Sequence, residues 1–529
     1  MIFLSEYHNT LKIGILTIIF LKKCVTRQKK RIFVVDFHIM KVFGNLRVFQ
    51  KLEYVVMLLL AFAIPFHWYA AQCCEVALLT VAVLKIVFDQ KCRFNERQMR
   101  FKWVYIVFAA TWLVYLIGMI YTENTHVGWI QVSKKLGFLI FPAVFLFSDM
   151  SYLNKDRIRV IFYCFATACL LFCLMNLYWT LYDGYVLGHN AGLITNNNLM
   201  RIYYVHHTYM SMYALLALAF SSVEIIEVKD WRLKIYHIFI SISMLVFVVL
   251  LDSRAGIICL CVELLILLVW LGFIKKKLLM SVIFTVLISG GIAPFAVSRL
   301  NATIAKLSDD DNPDIRMVEM RCGMDVVENH LLFGVGTGDR SDEMEKAYER
   351  YRDTLVAEIK PARAIDEEEF VLCRDEMLSG IQRASRAGQW NVPNKRFYRF
   401  IDNKPVEYEC DTESVRGMAV EYIYVENAIK HDLNAHNQYI DTMISIGIVG
   451  LLLLVACFLI PAVIAVRLKV FDVVCFAFLV TIAINAMFES VFEMQMGIIF
   501  FCFFWQVFFQ KNMGEQDTLS PQVIQDIKF

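Results

Sequence analysis

Charged side chains are scarce: Asp, Glu, Lys and Arg make up 19% of the 529 residues, whereas 58% are hydrophobic. A soluble domain carries about a quarter charged residues and roughly 45–50% apolar ones. An ordinary water-soluble globule is therefore excluded, and the chain is built for lipid. Paired cysteine motifs are missing as well. The 15 cysteines form no CxxC pair and no Cys/His metal spacing, so no metal site and no cofactor is expected. Most lie in apolar runs, such as Cys164, Cys169 and Cys173, where Cys acts as a small hydrophobe. Cys322, Cys373 and Cys410 fall in a long polar segment, where an oxidising compartment would permit one disulfide but not a complete framework. No internal repeat is evident. The glycine turn GVGTG at 334–338 lacks the Lys-Ser/Thr ending of a P-loop.

What is present is a succession of apolar runs. A span needs about 20 mainly apolar residues, and the chain offers about twelve. They lie near 54–71, 73–89, 103–121, 136–149, 158–181, 208–227, 235–251, 255–274, 278–297, 439–466, 471–488 and 490–509. The expected fold class is therefore all-α: a polytopic membrane protein with a helical loop domain on the periplasmic side. Orientation follows from Lys and Arg in short loops. Alternate loops at 89–102, 154–159, 229–234, 275–277 and 467–469 are basic, as are the flank at 25–31 and Lys511 after the last span. Of the intervening loops, 66–72 has no Lys or Arg and 182–207 has only Arg201. The basic side is read as cytoplasmic, with both termini there and the protein in the inner membrane.

The domain order expected is a basic N-terminal extension (1–53), nine spans (54–297), a periplasmic loop domain (298–434), three spans (435–510) and a cytoplasmic tail (511–529). The run at 11–21 is short for a span, and no small-residue cleavage site follows it. It reads as an interfacial or poorly ordered extension, with Met40 an alternative start. The long segment 298–434 carries 28 Asp/Glu against 19 Lys/Arg, which argues against a general anion-binding surface and a nucleic-acid partner. Its stretches 339–359 and 367–387 have apolar residues at helical spacing, so a largely helical cap is expected.

A charge inside or at the edge of a span is costly, and is a functional candidate by default. Arg254 and Asp252 sit in a tight hairpin between two spans; a guanidinium there can fork onto phosphate oxygens, or pair with Asp252. Arg316, Glu319 and Arg321 share a short helix that leads to the glycine turn, which reads as a helix-terminating turn. His436, with His431 as a rival, lies where the polar segment meets the tenth span. An imidazole of pKa about 6.5 suits proton abstraction from a sugar hydroxyl, although a lone His at a helix start is more often a cap. His206 and Tyr209 open another span on the same side. Asn485, Glu489 and Glu493 lie in apolar runs; the two acids are four apart and would share a helical face, one of them orienting an arginine.

The order SRAG (253–256), GVGTG (334–338) and HNQYIDTMISIGIVGLL (436–452) resembles the O-antigen ligase-related family, which includes O-antigen ligases, O-antigen polymerases and protein O-oligosaccharyltransferases. HHTYMSMY (206–213) is similar to that family's HPTY-type motif, with His207 where proline is usual, and Leu332-Phe333 stands where Pro-Leu is common. The resemblance extends from about residue 54 onward and implies metal-independent, inverting glycan transfer from an undecaprenyl diphosphate carrier. The acceptor would be a saccharide, lipid A-core or a protein. It implies that Arg254 engages the diphosphate, that Arg316 or Arg321 is a second loop arginine, and that His436 is the base. His206, Tyr209 and Glu489 join the expected substrate-binding set. A lipid-linked oligosaccharide flippase is the alternative. Transporters place charges and broken helices near the midplane, often in repeated halves; here the charges collect at the outer face. A sensor would need a cytoplasmic output domain, for which the loops are too short.

Overall fold

The structure is a computed structural model that describes residues 46–88, 98–99, 101–186, 199–200, 205–277, 315–358, 396–401, 404–409, 424–431, 433–467 and 472–515. The chain divides into two units, Met1–Val55 and Val56–Phe529. Of the first, the described part is residues 46–55, the opening of α1 (Val48–Ala63). In the second, α2 (Trp68–Phe88), α3 (Lys102–Gly118), α4 (Thr125–Lys134), α5 (Gly137–Phe147) and α6 (Lys155–Leu181) precede α7 (His207–Glu227), α8 (Trp231–Leu250) and α9 (Arg254–Val269). Then come α10 (Ile315–Asn329), α11 (Arg340–Glu358), strands β1 (Arg396–Ile401) and β2 (Lys404–Glu409), and a short helix α12 (424–430). The chain closes with α13 (Gln438–Arg467), α14 (Val473–Phe488) and α15 (Gln495–Glu515).

Among the described residues, seven helices are long and apolar enough to cross a membrane, and Lys102–Gly118 and Val473–Phe488 are shorter apolar helices. The expected ninth span, 278–297, lies outside the described residues, as do Cys373 and Cys410. The short run at 136–149 is extended by α4, so that Thr125–Phe147 counts as one candidate span. The first helix ends at Ala63 rather than near 71, because Pro65 lacks the N–H and clashes with the preceding turn. The hairpin β1–β2 departs from the expected helical cap. Its strands pair antiparallel from Arg396↔Glu409 to Ile401↔Lys404, and RFYRFI is rich in residues that suit a pleated surface better than a helix.

α7 and α15 form the interior of the bundle. Every residue from Ile498 to Phe509 is buried, and so is nearly all of α7. A helix that is apolar all round belongs inside. α7 packs on α6, α8, α9 and α14, and α15 on α2, α5 and α6. Between apolar helices in lipid the attraction is chiefly packing. Here aromatic pairs supply it: Phe108–Trp505 at 4.5 Å and Phe165–Phe504 at 4.6 Å, each about 0.5–1.5 kcal/mol beyond area burial.

α13 is broken at Ile446–Gly447, where Gly447 takes φ 66° and ψ −164°. The glycine turn mends the break. Val335 N–H donates to Ile444 O (2.7 Å), Gly336 N–H to Ser445 O (3.1 Å), and Ile448 N–H to Leu331 O (2.9 Å). Gly334 and Gly336 have φ of 70° and 117°, which only glycine adopts without strain. The turn is fixed further by Thr337 Oγ1–H to Tyr115 O (2.6 Å) and by Asp339, which accepts from Glu123 N–H (2.9 Å) and Asn124 N–H (2.7 Å). Its amides serve the broken helix, not an anion. Beside it, α10 and α11 share a core (Val318, Cys322, Val326, Tyr348) with α12 and the start of α13, where Cys322 is a free, buried thiol.

Candidate active site

His436 enters α13 through a tightly laced turn. Asn437 accepts from Tyr439 N–H (3.0 Å) and Ile440 N–H (3.2 Å), satisfying open donors of the first turn, and its amide donates to Met487 O (3.2 Å). His436 N–H donates to Asn434 Oδ1 (3.0 Å), and Ala435 N–H to Asp441 Oδ1 (3.3 Å). His436 itself adopts φ 44°, a left-handed conformation that costs a non-glycine residue of order 1–3 kcal/mol. That strain is held by the bonds on either side of it, which fix where the imidazole points.

The ring stands between two carboxylates. Nδ1 lies 3.1 Å from Glu489 Oε1, and Nε2 lies 3.6 Å from Glu319 Oε1. Tyr424 O–H donates to Glu319 from α12. Arg316, one turn before Glu319, donates to Phe488 O (2.8 Å) and acts electrostatically on His436, Glu489, Glu319 and His206. Burial pushes the His436 pKa down, but the Glu489 hydrogen bond and the charges of Glu319 and Glu489 outweigh it, leaving it above the usual 6.5. Burial likewise raises Glu489, yet His436, His206 and Arg316 pull it below the ordinary glutamate value. Glu319 stays raised by burial, although His436 and Tyr424 oppose the shift. His206 is lowered by burial, against the pull of Glu489. With Nδ1–H given to Glu489, Nε2 keeps its lone pair and can accept a proton.

Arg254 is the first residue of α9, capped by Ser253, whose Oγ accepts from Gly256 N–H (3.3 Å). Three contacts give its level. A Cβ on Gly256 would meet Ser211 Cβ of α7 at 2.9 Å. Tyr209 O–H reaches Ser490 O (3.4 Å) and Val491 O (3.3 Å). Asn485 Nδ2 lies 3.1 Å from Cys259 Sγ. The starts of α7 and α9 and the end of α14 thus share one layer. Arg254 and Glu489 each lie roughly 6–8 Å beyond the Cys259–Asn485 contact at 1.5 Å per residue.

Other candidates are placed differently. Tyr209 is buried and spent on the 490–491 turn, so it positions Glu489 rather than facing an open space. His206 stands beside it, ring centroids 6.3 Å apart. Arg321 lies five residues after Arg316, about 140° around the helix. It donates to Tyr351 Oη (3.4 Å), with its guanidinium 5.9 Å from that ring, on an exposed flank. His431 is exposed at the end of α12. Glu489 and Glu493 do not share a helical face, because α14 stops at Phe488 and Glu489 is extended (φ −154°, ψ 149°). Glu489 meets His436; Glu493 meets a different set of charges.

That second set is absent from the sequence-based candidates. Glu493 binds Lys135 Nζ (3.0 Å) and Arg340 (2.9 Å), and Arg340 lies 3.7 Å from Asp441. Ser490 O–H donates to Asp441, and Lys135 lies 4.5 Å over the Tyr115 ring. Burial pushes the Glu493 carboxyl up, yet Arg340 and Lys135 overcome it and hold it down to about 2. The network ties α5's entry, the glycine turn and both segments that carry His436 and Glu489. The Lys134-Lys135 pair, which interrupts an otherwise apolar stretch, was its visible signal.

No curated protein matches the chain. Residues 239–360 match the family described as O-antigen ligase, a stretch that contains Arg254, Arg316, Arg321 and the glycine turn. Among the described residues the chain is all but wholly helical, with seven helices long and apolar enough to cross a membrane, and over residues 239–360 it is similar to the O-antigen ligase family.

Proposed function

We propose that the chain transfers a glycan from an undecaprenyl diphosphate carrier to an acceptor hydroxyl, at the end of the bundle where His436 lies. The observation that carries the reading is the imidazole held between Glu489 and Glu319 with Arg316 beside it, within a chain whose residues 239–360 match the O-antigen ligase family. His436 Nε2 takes the proton of the acceptor hydroxyl, whose oxygen attacks the anomeric carbon. The bond from that carbon to the diphosphate oxygen breaks, and its electron pair leaves with the diphosphate. Attack opposite the leaving group inverts the anomeric centre. Glu489 fixes the tautomer and stabilises the imidazolium. Arg316 and Arg254 neutralise the charge growing on the leaving group, which cationic side chains can stabilise electrostatically. In this reading the site faces the periplasm, 298–434 is the periplasmic loop domain, about twelve helices cross the inner membrane, and both termini are cytoplasmic.

The test is deletion of the gene in its native host, with surface glycans resolved on gels and complementation by wild type, Arg254→Ala, Arg316→Ala and His436→Ala. Single-repeat glycans on the final acceptor identify a polymerase. Long glycans stranded on the carrier identify a ligase, or a protein transferase if glycoproteins vanish. Full rescue by the variants at normal protein level refutes the residue roles, and accumulation of inward-facing lipid-linked units transfers the case to a flippase.

A further inference from the structure

At the helix ends opposite His436 lies a cavity of about 490 Å³, formed by the start of α6, the ends of α7 and α9, the start of α14 and the end of α15. Four cations line it: Lys155, Arg159, Lys275 and Lys511. So do four carboxylates, Asp156, Glu224, Glu227 and Asp472, so it is charge-balanced. Arg159 Nε binds Glu224 (2.8 Å), Lys275 binds Glu227 (3.1 Å) and Lys511 binds Asp472 (2.7 Å). Glu224 and Asp472 sit back in the wall, with side chains 5% and 7% exposed, while Arg159 and Lys511 stand forward at 36% and 29%. An ammonium has three donors and a guanidinium five, so Arg159 and Lys275, each on one carboxylate, keep donors that a phosphate can take. Phe162, Phe220 and Trp270 supply apolar wall, and Lys275 lies 5.2 Å over the Trp270 ring.

We propose that this cavity is a headgroup site for a zwitterionic phospholipid bearing a primary amine. The phosphodiester meets the lysines and Arg159, the ammonium meets the exposed carboxylates Asp156 and Glu227, and the apolar wall takes the start of the acyl chains. Three features select this occupant. The cavity lies at the ends of apolar helices, at the depth where headgroups lie when such helices span a bilayer. Its balanced charges match a ligand carrying one charge of each sign. Its volume falls within the range of small-ligand sites, about 300–1,000 Å³. The inference rests on the helices crossing a membrane and is independent of the glycan-transfer reading.

The experiment uses the full chain, delipidated in mild detergent and examined by native mass spectrometry after add-back of defined lipid. Expected is one retained phosphatidylethanolamine per chain. Phosphatidylcholine should be retained at least about tenfold less, because its methylated ammonium offers no N–H to a carboxylate. Lys155→Gln/Lys275→Gln should lose retention, whereas Lys346→Gln, on α11 and distant from the cavity, should not. Both variants should keep the wild-type elution and melting profile, since Lys275 and its partner Glu227 are well exposed. Equal retention of phosphatidylcholine, unchanged retention in the double variant, or no retained lipid overturns the proposal. So does tight binding of phosphoethanolamine or inorganic phosphate without chains, which would make the ligand soluble.

Discussion

The buried quartet beneath His436 makes a quantitative prediction. Lys135 and Arg340 face Glu493 and Asp441, two charges of each sign, with ion-pair distances of 3.0, 2.9 and 3.7 Å. Glu493→Gln leaves two buried cations against one carboxylate; Lys135→Met leaves one cation against two. Breaking a buried pair from one side costs about 3–5 kcal/mol, because the remaining charge is desolvated without a partner. The double variant returns to one cation, Arg340, and one carboxylate, Asp441. It should therefore be less harmful than the sum of the singles by roughly 0.5–3 kcal/mol, the usual size of coupling between contacting residues. The assay is the midpoint of thermal unfolding of the purified protein in one detergent, for wild type, both singles and the double. Both singles should fall well below wild type, with the double above the additive expectation. Additive losses, or singles that melt with wild type, would refute the claim that these four charges act as a unit. Activity should fall in the singles too, because Asp441 and Glu493 anchor the segments carrying His436 and Glu489.

Further expectations concern the site. His436→Ala should lower transfer by roughly 10²–10⁴-fold, the range of a general base, measured on lipid-linked donor in reconstituted vesicles. The acid limb of the rate profile should lie above 6.5, because the neutral imidazole is the base and its pKa is raised. Glu489→Gln removes the carboxylate whose hydrogen bond and charge help raise it, leaving Glu319, so the limb should move to lower pH; an unmoved limb contradicts the pairing. By linkage, the stability from the His436 pairs is present below 6.5 and is lost as pH rises through the raised folded value. Glu493 behaves oppositely: its stabilisation is present above 4.5 and lost as pH falls towards about 2, visible as a falling melting midpoint in acid. Arg316→Ala should cost far more activity than Arg321→Ala, since only Arg316 reaches the His436 cluster. Gly447→Ala should destabilise by at least ~1–3 kcal/mol, because its Cβ would land on the Leu332 carbonyl and its φ is 66°; a wild-type melting midpoint would refute that.

Composition and spacing determined the class of the protein. Lipid forces backbone hydrogen bonds inside each segment, so long apolar runs can only be helices, and their presence is legible without any contact. The order of the Arg254, glycine-turn and His436 segments was legible for the same reason: it is local. The helical reading of the cap was incomplete, because aromatic strands at 396–409 pair only when a partner strand is brought alongside. Tertiary structure alone decided the rest. Glu489 faces His436 across 53 residues of chain. Arg316 and Arg321 are chemically equal in sequence and are separated only by the face of α10 that meets α14. The reach of Glu493 could not be read from its spacing to Glu489, because α14 ends between α-helical register and an extended residue. Lys135, Arg340 and Asp441 lie far apart along the chain and form one network only because a broken helix, its glycine turn and the 489–493 segment close around the same buried point. Sequence fixes which groups are costly to bury; the packing of helices decides which of them meet.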